Sequence, residues 1–308
     1  MLVEIALTTV VLVVILFLWS AINFRKWKME LQHTLDSNSR VITTSVGTIE
    51  YALVGEGPAI IAIHGAPGGY DQGIFAMRDW VDEGYSVLAI SRPGYLKTPL
   101  NTGPSFEEQA EVIRALMDSL DVQKAAIIGS SAGGPVALVF SLQYPKRVWA
   151  LGLICAVTLP YRAENNWLNN VVGRLFASDL LLDVGVWLFD VLTRYRTTYS
   201  LKRMFKENST LNKFQIDERV KYVLSEPQQI VWYKEFIRTA CPLTLRKDGL
   251  ENDMEILRHV NLPNLETIIT PTLILHGRAD ECSPFYTQNM LRHQYPMRNW
   301  SVLRMLGM

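Results

Sequence analysis

Charge is what this chain has least of. Asp, Glu, Lys and Arg make up 19% of its 308 residues, against about 25% in ordinary soluble domains. Thirty bases balance thirty acids and no basic cluster forms, so nucleic acid is not expected as a partner. Cysteine is scarce as well. Cys155, Cys241 and Cys282 form neither a disulfide framework nor a metal-ligand spacing, and no metal or organic cofactor is implied. Glycine (19) and proline (14) are too ordinary in number for a collagen-like or low-complexity chain, and a 49% hydrophobic content is too high for disorder. The shortage of charge is greatest at the front, where the first 24 residues hold only Glu4.

That front end carries a long apolar run. Ile5 to Ile22 (IALTTVVLVVILFLWSAI) contains 18 residues and no charge. As a helix it would be about 27 Å long, close to the hydrocarbon thickness of a bilayer, and apolar on every face. Trp19 and Trp27 bracket the exit, and Arg25, Lys26 and Lys28 follow. Basic residues favour a cytosolic location for their side. The expectation is a single-pass anchor over 1–24, with the main domain on the cytoplasmic side and a polar tether over 25–40. A cleaved signal peptide fits less well, since there is no basic leading segment, the apolar stretch exceeds about 7–15 residues, and no small-x-small site follows.

Beyond the tether the pattern changes to strands alternating with helices. RVITTSV and TIEYALV flank Gly47 and read as a hairpin. AIIAIHG, YSVLAISRPGY, AAIIGSSAGG, VWALGLICA and PTLILHG are apolar runs of strand length that end in turn residues, the mark of buried parallel strands. FEEQAEVIRALMDSL is an amphipathic helix with Ser105 as its N-cap, and PVALVFSLQY is a second helix that stops before Pro145. The expected fold class is α/β, a doubly wound, mostly parallel sheet. Residues 158–265 break the rhythm with aromatic-rich helical stretches and are expected as a helical insertion over the carboxyl edge of the sheet. The core then comprises 41–157 and 266–308.

Three segments carry chemistry. Gly129-Ser130-Ser131-Ala132-Gly133 follows a buried strand and opens a helix, the context in which a nucleophilic serine is held on a sharp turn. Gly129 and Gly133 remove side chains where strand and helix nearly touch. His64-Gly65-Ala66-Pro67-Gly68-Gly69 follows the AIIAI strand. An attacked carbonyl needs main-chain N–H groups aimed at its oxygen, and Pro67 has none, so Ala66 and Ala132 are the candidate oxyanion donors. His276-Gly277-Arg278-Ala279-Asp280 follows PTLILHG and offers Asp280 to orient an imidazole, with Glu281 as a neighbour that could replace it. The acids Glu164, Glu207, Glu226 and Glu235 of the insertion are either recognition groups for a substrate amine or solvated surface.

Taken together, the HGxPG loop, the SRPGY turn, the GxSxG elbow and the terminal HGxxD, in that order over residues 40–308, resemble the α/β-hydrolase family. The HGAPGG form is similar to proline iminopeptidases and to esterases and lipases, and the helical insertion lies where the family has its cap. The resemblance implies Ser131 as nucleophile, Asp280 as orienting acid, an apolar or acyl substrate entering beneath the cap, and a histidine in the loop after the last strand. That strand is expected at Asn299 to Met305, so the histidine's position falls at Met308 or beyond it. The chain's histidines are His33, His64, His259, His276 and His293. Of these His259 could swing in from the insertion, while His64 and His276 belong to strand-end motifs that similar proteins use structurally. The expected function is hydrolysis of an ester or amide by a membrane-anchored serine hydrolase. The alternative is an impaired relative that binds a hydrophobic ligand or partner.

Overall fold

Strands of continuous apolar sequence stack side by side in the computed structural model, which describes residues 1–160, 178–280 and, as backbone only, 300–305. β1 (Arg40–Thr44) and β2 (Gly47–Val54) form the expected hairpin, with Thr44 opposite Gly47. β2 runs antiparallel to β4 (Ser86–Ile90), and β4 lies parallel to β3 (Ala59–Ile63). The remaining strands, β5 (Ala125–Ser130), β6 (Val148–Ile154), β7 (Thr272–Gly277) and β8 (Trp300–Met305), are parallel to their neighbours. The order is β1-β2-β4-β3-β5-β6-β7-β8. The chain steps from β3 outward to β4 and then back across β3 to β5. The carboxyl ends of β3 and β5 therefore form the point where winding reverses, which is where open α/β sheets hold their ligands.

Both faces of the sheet are covered, in keeping with the strands' apolar runs. α2 (Tyr70–Asp82) packs on one face, where Tyr70 and Met77 cluster with Ala62, Val87 and Ala89. α3 (Phe106–Ser119) and α4 (Gly133–Gln143) pack on the other, against Ile61, Ile63, Leu88, Ile90 and Ile127. Successive residues of one strand thus feed opposite cores, as the two-residue period requires. α3 starts at Ser105 with a full capping box. The Ser105 hydroxyl accepts from the Glu108 N–H, while the Glu108 carboxylate accepts from the Ser105 N–H at 2.9 Å.

The front of the chain is one helix, α1 (Leu2–Ser37). Its first part has the length and hydropathy to cross a membrane, and that apolar stretch has no side chain buried in the protein. Residues 25–37, read from sequence as a polar tether, continue the same helix and dock. Trp27, Leu31 and Leu35 are buried, spaced four apart so that they share one face. The Trp27 Nε1–H donates to Asp190 at 2.8 Å, and the Tyr70 hydroxyl donates to the Leu35 carbonyl at 2.7 Å. Burial raises the Tyr70 pKa, which keeps this donor protonated.

The insertion contributes α5 (Asp179–Tyr195), α6 (Thr197–Asn208), α7 (Lys213–Ser225), α8 (Pro227–Arg238) and α9 (Lys247–Ile256) among the described residues. It meets the loops at the carboxyl ends of the strands. The Leu96 N–H donates to the Leu245 carbonyl at 2.7 Å, the Gly249 N–H to that of Gly94 at 2.8 Å, and the Thr210 N–H to that of Ala279 at 2.9 Å.

Candidate active site

The buried strand β5 ends at Ser130, and the chain must reverse at once to start α4. Ser131 makes that turn with φ +47°, a left-handed backbone that side chains other than glycine rarely adopt. Three main-chain bonds hold it. The Ser131 N–H donates to the Ile154 carbonyl at 2.9 Å, and the Ser131 carbonyl accepts from Gly134 at 3.0 Å and from Val157 at 3.1 Å. The turn is so tight that flanking side chains have no room. A Cβ on Gly129 would come within 2.6 Å of the Gly133 carbonyl oxygen, and one on Gly133 within 2.6 Å of the carbonyl oxygens of both Ile63 and His64. Ser131 as a residue is half-buried.

The His64–Gly69 loop leaves β3 beside this turn, and a Cβ on Gly65 would lie 3.0 Å from that of Ser131. The His64 imidazole pins the loop. Its Nε2 accepts from the Arg92 N–H at 3.0 Å, which leaves Nδ1 as the donor to the Gly65 carbonyl at 2.7 Å. Burial, with Arg92 nearby, lowers the His64 pKa well below its usual value. It is a neutral, doubly engaged ring, unavailable as a base. The Gly65 N–H donates to the buried Gln72 Oε1 at 3.0 Å, and Gln72 donates in turn to Thr239 of the insertion at 3.3 Å. The N–H groups of Ala66 and Ala132 find no acceptor among the described residues. They are the two positions the sequence motifs single out as oxyanion donors.

Asp280 follows β7 on the same edge. The β5–β6–β7 register brings it there: the Ser131 N–H bonds the end of β6, and the Cys155 N–H donates to Leu275 of β7 at 2.8 Å. The Asp280 carboxylate is 3.6 Å from His276 Nε2 and 16% exposed. Cys155, itself at φ +47°, completes a group with His276 and Asp280 whose ligand atoms lie within 4.8 Å of one another, the donor types that suit zinc. Composition and spacing gave no signal of this trio, because it forms only when β6 and β7 pair. The other described histidines are on the surface, His259 beside Glu255 and His33 on α1. His293, Glu281, Glu164 and the position expected for the family histidine lie outside the described residues. Glu207 and Glu235 pair with Arg203 and Arg78, at 2.7 and 2.8 Å.

The lid over this edge is fastened by buried polar groups, among them the arginine and tyrosine of the SRPGY turn, whose partner in the insertion no motif announced. Arg92 and Asp253, both 1% exposed, form a two-pronged ion pair, with Arg92 Nη1 donating to Asp253 Oδ1 at 2.8 Å and the Tyr95 hydroxyl donating to the same carboxylate. Arg246, fully buried, donates to both oxygens of Asp71 at 3.0 and 2.8 Å.

A family model described as alpha/beta hydrolase fold matches residues 58–303. The chain belongs to the α/β-hydrolase family. This α/β-hydrolase is 35% identical over 256 residues to the 2-hydroxy-6-oxononadienedioate/2-hydroxy-6-oxononatrienedioate hydrolase 1 of Pseudomonas putida, covering 78% of each chain. It is 28% identical over 242 residues to the uncharacterized hydrolase YcgS of Bacillus subtilis (strain 168), covering 78% of this chain and 80% of that one. An alpha/beta hydrolase fold protein from Nakamurella multipartita superposes with a TM-score of 0.76 at 27% identity, over 86% of this chain and 89% of that one. The kinship makes hydrolysis the reaction class.

Proposed function

We propose that the protein is a membrane-anchored serine hydrolase that cleaves an ester or amide bond of an apolar substrate through an acyl-enzyme on Ser131. The observation that supports this reading is the left-handed turn at Ser131, a half-buried residue at the reversal point of the sheet, near two N–H groups that find no acceptor among the described residues. Ser131 Oγ attacks the carbonyl carbon as its proton passes to a base, and the carbonyl oxygen takes up negative charge between Ala66 and Ala132. Collapse of this intermediate breaks the carbonyl–heteroatom bond, and the proton goes to the departing alcohol or amine. Water then repeats the sequence on the acyl-serine and releases the acid. Asp280 orients the base, which the family resemblance assigns to the loop after β8. The apolar stretch of α1 acts as the anchor.

A second reading, a binding protein without turnover, is favoured by one observation: the His64 ring beside the Ser131 turn is neutral and held by two hydrogen bonds, so it offers no base. Turnover of a panel of medium-chain acyl esters, acyl amides and 2-hydroxy-6-oxononadienedioate by the purified chain separates the readings. We expect the apolar esters or amides to be hydrolysed best, and Ser131→Ala to lose about 10³-fold or more in kcat. Preference for the dienedioate would overturn the substrate class, and folded protein with no turnover would leave the binding reading.

A further inference from the structure

α5 presents an apolar stripe that stays exposed among the described residues. Leu181, Leu188 and Tyr195 recur every seven residues, and each is exposed, as is Leu180. The opposite side of the same helix carries Leu182, Asp183, Asp190 and Thr193, all buried. A helix with two such faces can take a second apolar neighbour besides the core.

The contacts of α1 set where on the molecule that face lies. α5 crosses α1 just past the apolar stretch. Phe24 meets Trp187 edge-on with ring centres 5.7 Å apart, Trp27 donates to Asp190, and Lys28 Nζ lies 2.6 Å from the fully buried carboxylate of Asp183. Asp183 is fixed in turn by the Thr244 N–H at 3.0 Å and the Thr244 hydroxyl at 2.7 Å. These contacts hold α5 at the level where α1 leaves its uncharged run. The charges nearby fit a headgroup layer with anionic lipid: Arg25 and Lys26 are exposed on α1, and Arg196 just past the end of α5, while Arg194 pairs with Asp190.

We infer that α5 lies in the lipid headgroup layer beside the anchor, with Leu181, Leu188 and Tyr195 turned to the acyl boundary. This rests on the reading of α1 as a membrane anchor and adds to it the surface on which the cap sits. Because the insertion covers the carboxyl edge that holds Ser131, an apolar substrate would pass from the bilayer to the site along α5 without crossing bulk water.

The test is photo-crosslinking of the full chain in nanodiscs of phosphatidylcholine and phosphatidylglycerol. A benzophenone amino acid replaces, in separate preparations, Leu16 in the apolar stretch, Leu188 on the stripe, or Lys124, which precedes β5 on the opposite edge of the sheet. Lipid adducts are counted by intact mass. Adducts are expected at Leu16 and Leu188, with at least about fivefold more at Leu188 than at Lys124. Adducts at Leu16 with none at Leu188, or equal amounts at Leu188 and Lys124, would overturn the inference and leave the anchor standing. No adduct at Leu16 would remove the anchor, and the inference with it.

Discussion

Around the elbow, β5, α4 and the His64 loop meet by close approach, with two glycines placed where a single carbon atom would collide with main-chain oxygens. The cap meets the same edge by main-chain contact at Gly94 and Gly249 and, unlike the elbow, also through buried charges: Arg92 with Asp253 and Arg246 with Asp71. Close backbone packing gives a turn one shape and tolerates no adjustment. Ion pairs and their hydrogen bonds fix the cap's register yet can be exchanged as sets. The proposed nucleophile thus sits on the rigid part, and the cap over it is fastened in addition by separable polar links.

Substitutions can break this contrast. The largest effect is expected for Asp253→Ala, which strands the Arg92 guanidinium in the interior and should destabilise the protein by about 3–5 kcal/mol in denaturant unfolding. Combining it with Arg92→Met should recover most of that loss, since no charge is then left buried. A smaller loss, about 1–3 kcal/mol, is expected for Gly133→Ala, because two carbonyl oxygens must move to admit the methyl group. Here no partner substitution should help. Rescue at Gly133, or failure of rescue at Arg92, would reverse the assignment of rigid and separable parts.

The smallest effect is pH-dependent and comes from His64. Burial holds its native pKa below the usual 6.5, so the unfolded chain binds a proton that the native one refuses. Stability should therefore fall as pH drops below 6.5, by at most about 1.4 kcal/mol per pH unit from this group, and level off once the native value is reached. Unfolding midpoints followed from pH 7 to pH 5 measure it. A His64→Asn variant that kept the same slope would show that the imidazole is not its source.

The legible parts of the molecule were those specified by local pattern. Strand-length apolar runs such as AIIAI and the glycines around Ser131 state their structure within a few residues, and Ser105 with Glu108 states a helix start. The cap's fastenings were not legible, because Arg92 and Asp253 stand 161 positions apart, and a charge on a helix reads as solvated surface until its partner is known. α2, whose buried Gln72 steadies the Gly65 turn, was missed because its polar contacts exist only in the folded state. The docked half of α1 did carry a signal, the four-residue spacing of Trp27, Leu31 and Leu35, which its many charges obscured. Asp280 was placed by its motif, but its closeness to Cys155 came from strand pairing alone.

The central claim is that the strained turn after β5 makes Ser131 the nucleophile. Fluorophosphonate labelling of the full chain, read by intact mass and peptide mapping, tests it most directly. The account predicts a single adduct on Ser131 that vanishes in a folded Ser131→Ala protein. An adduct that persists in that variant, or maps to another residue, would contradict it.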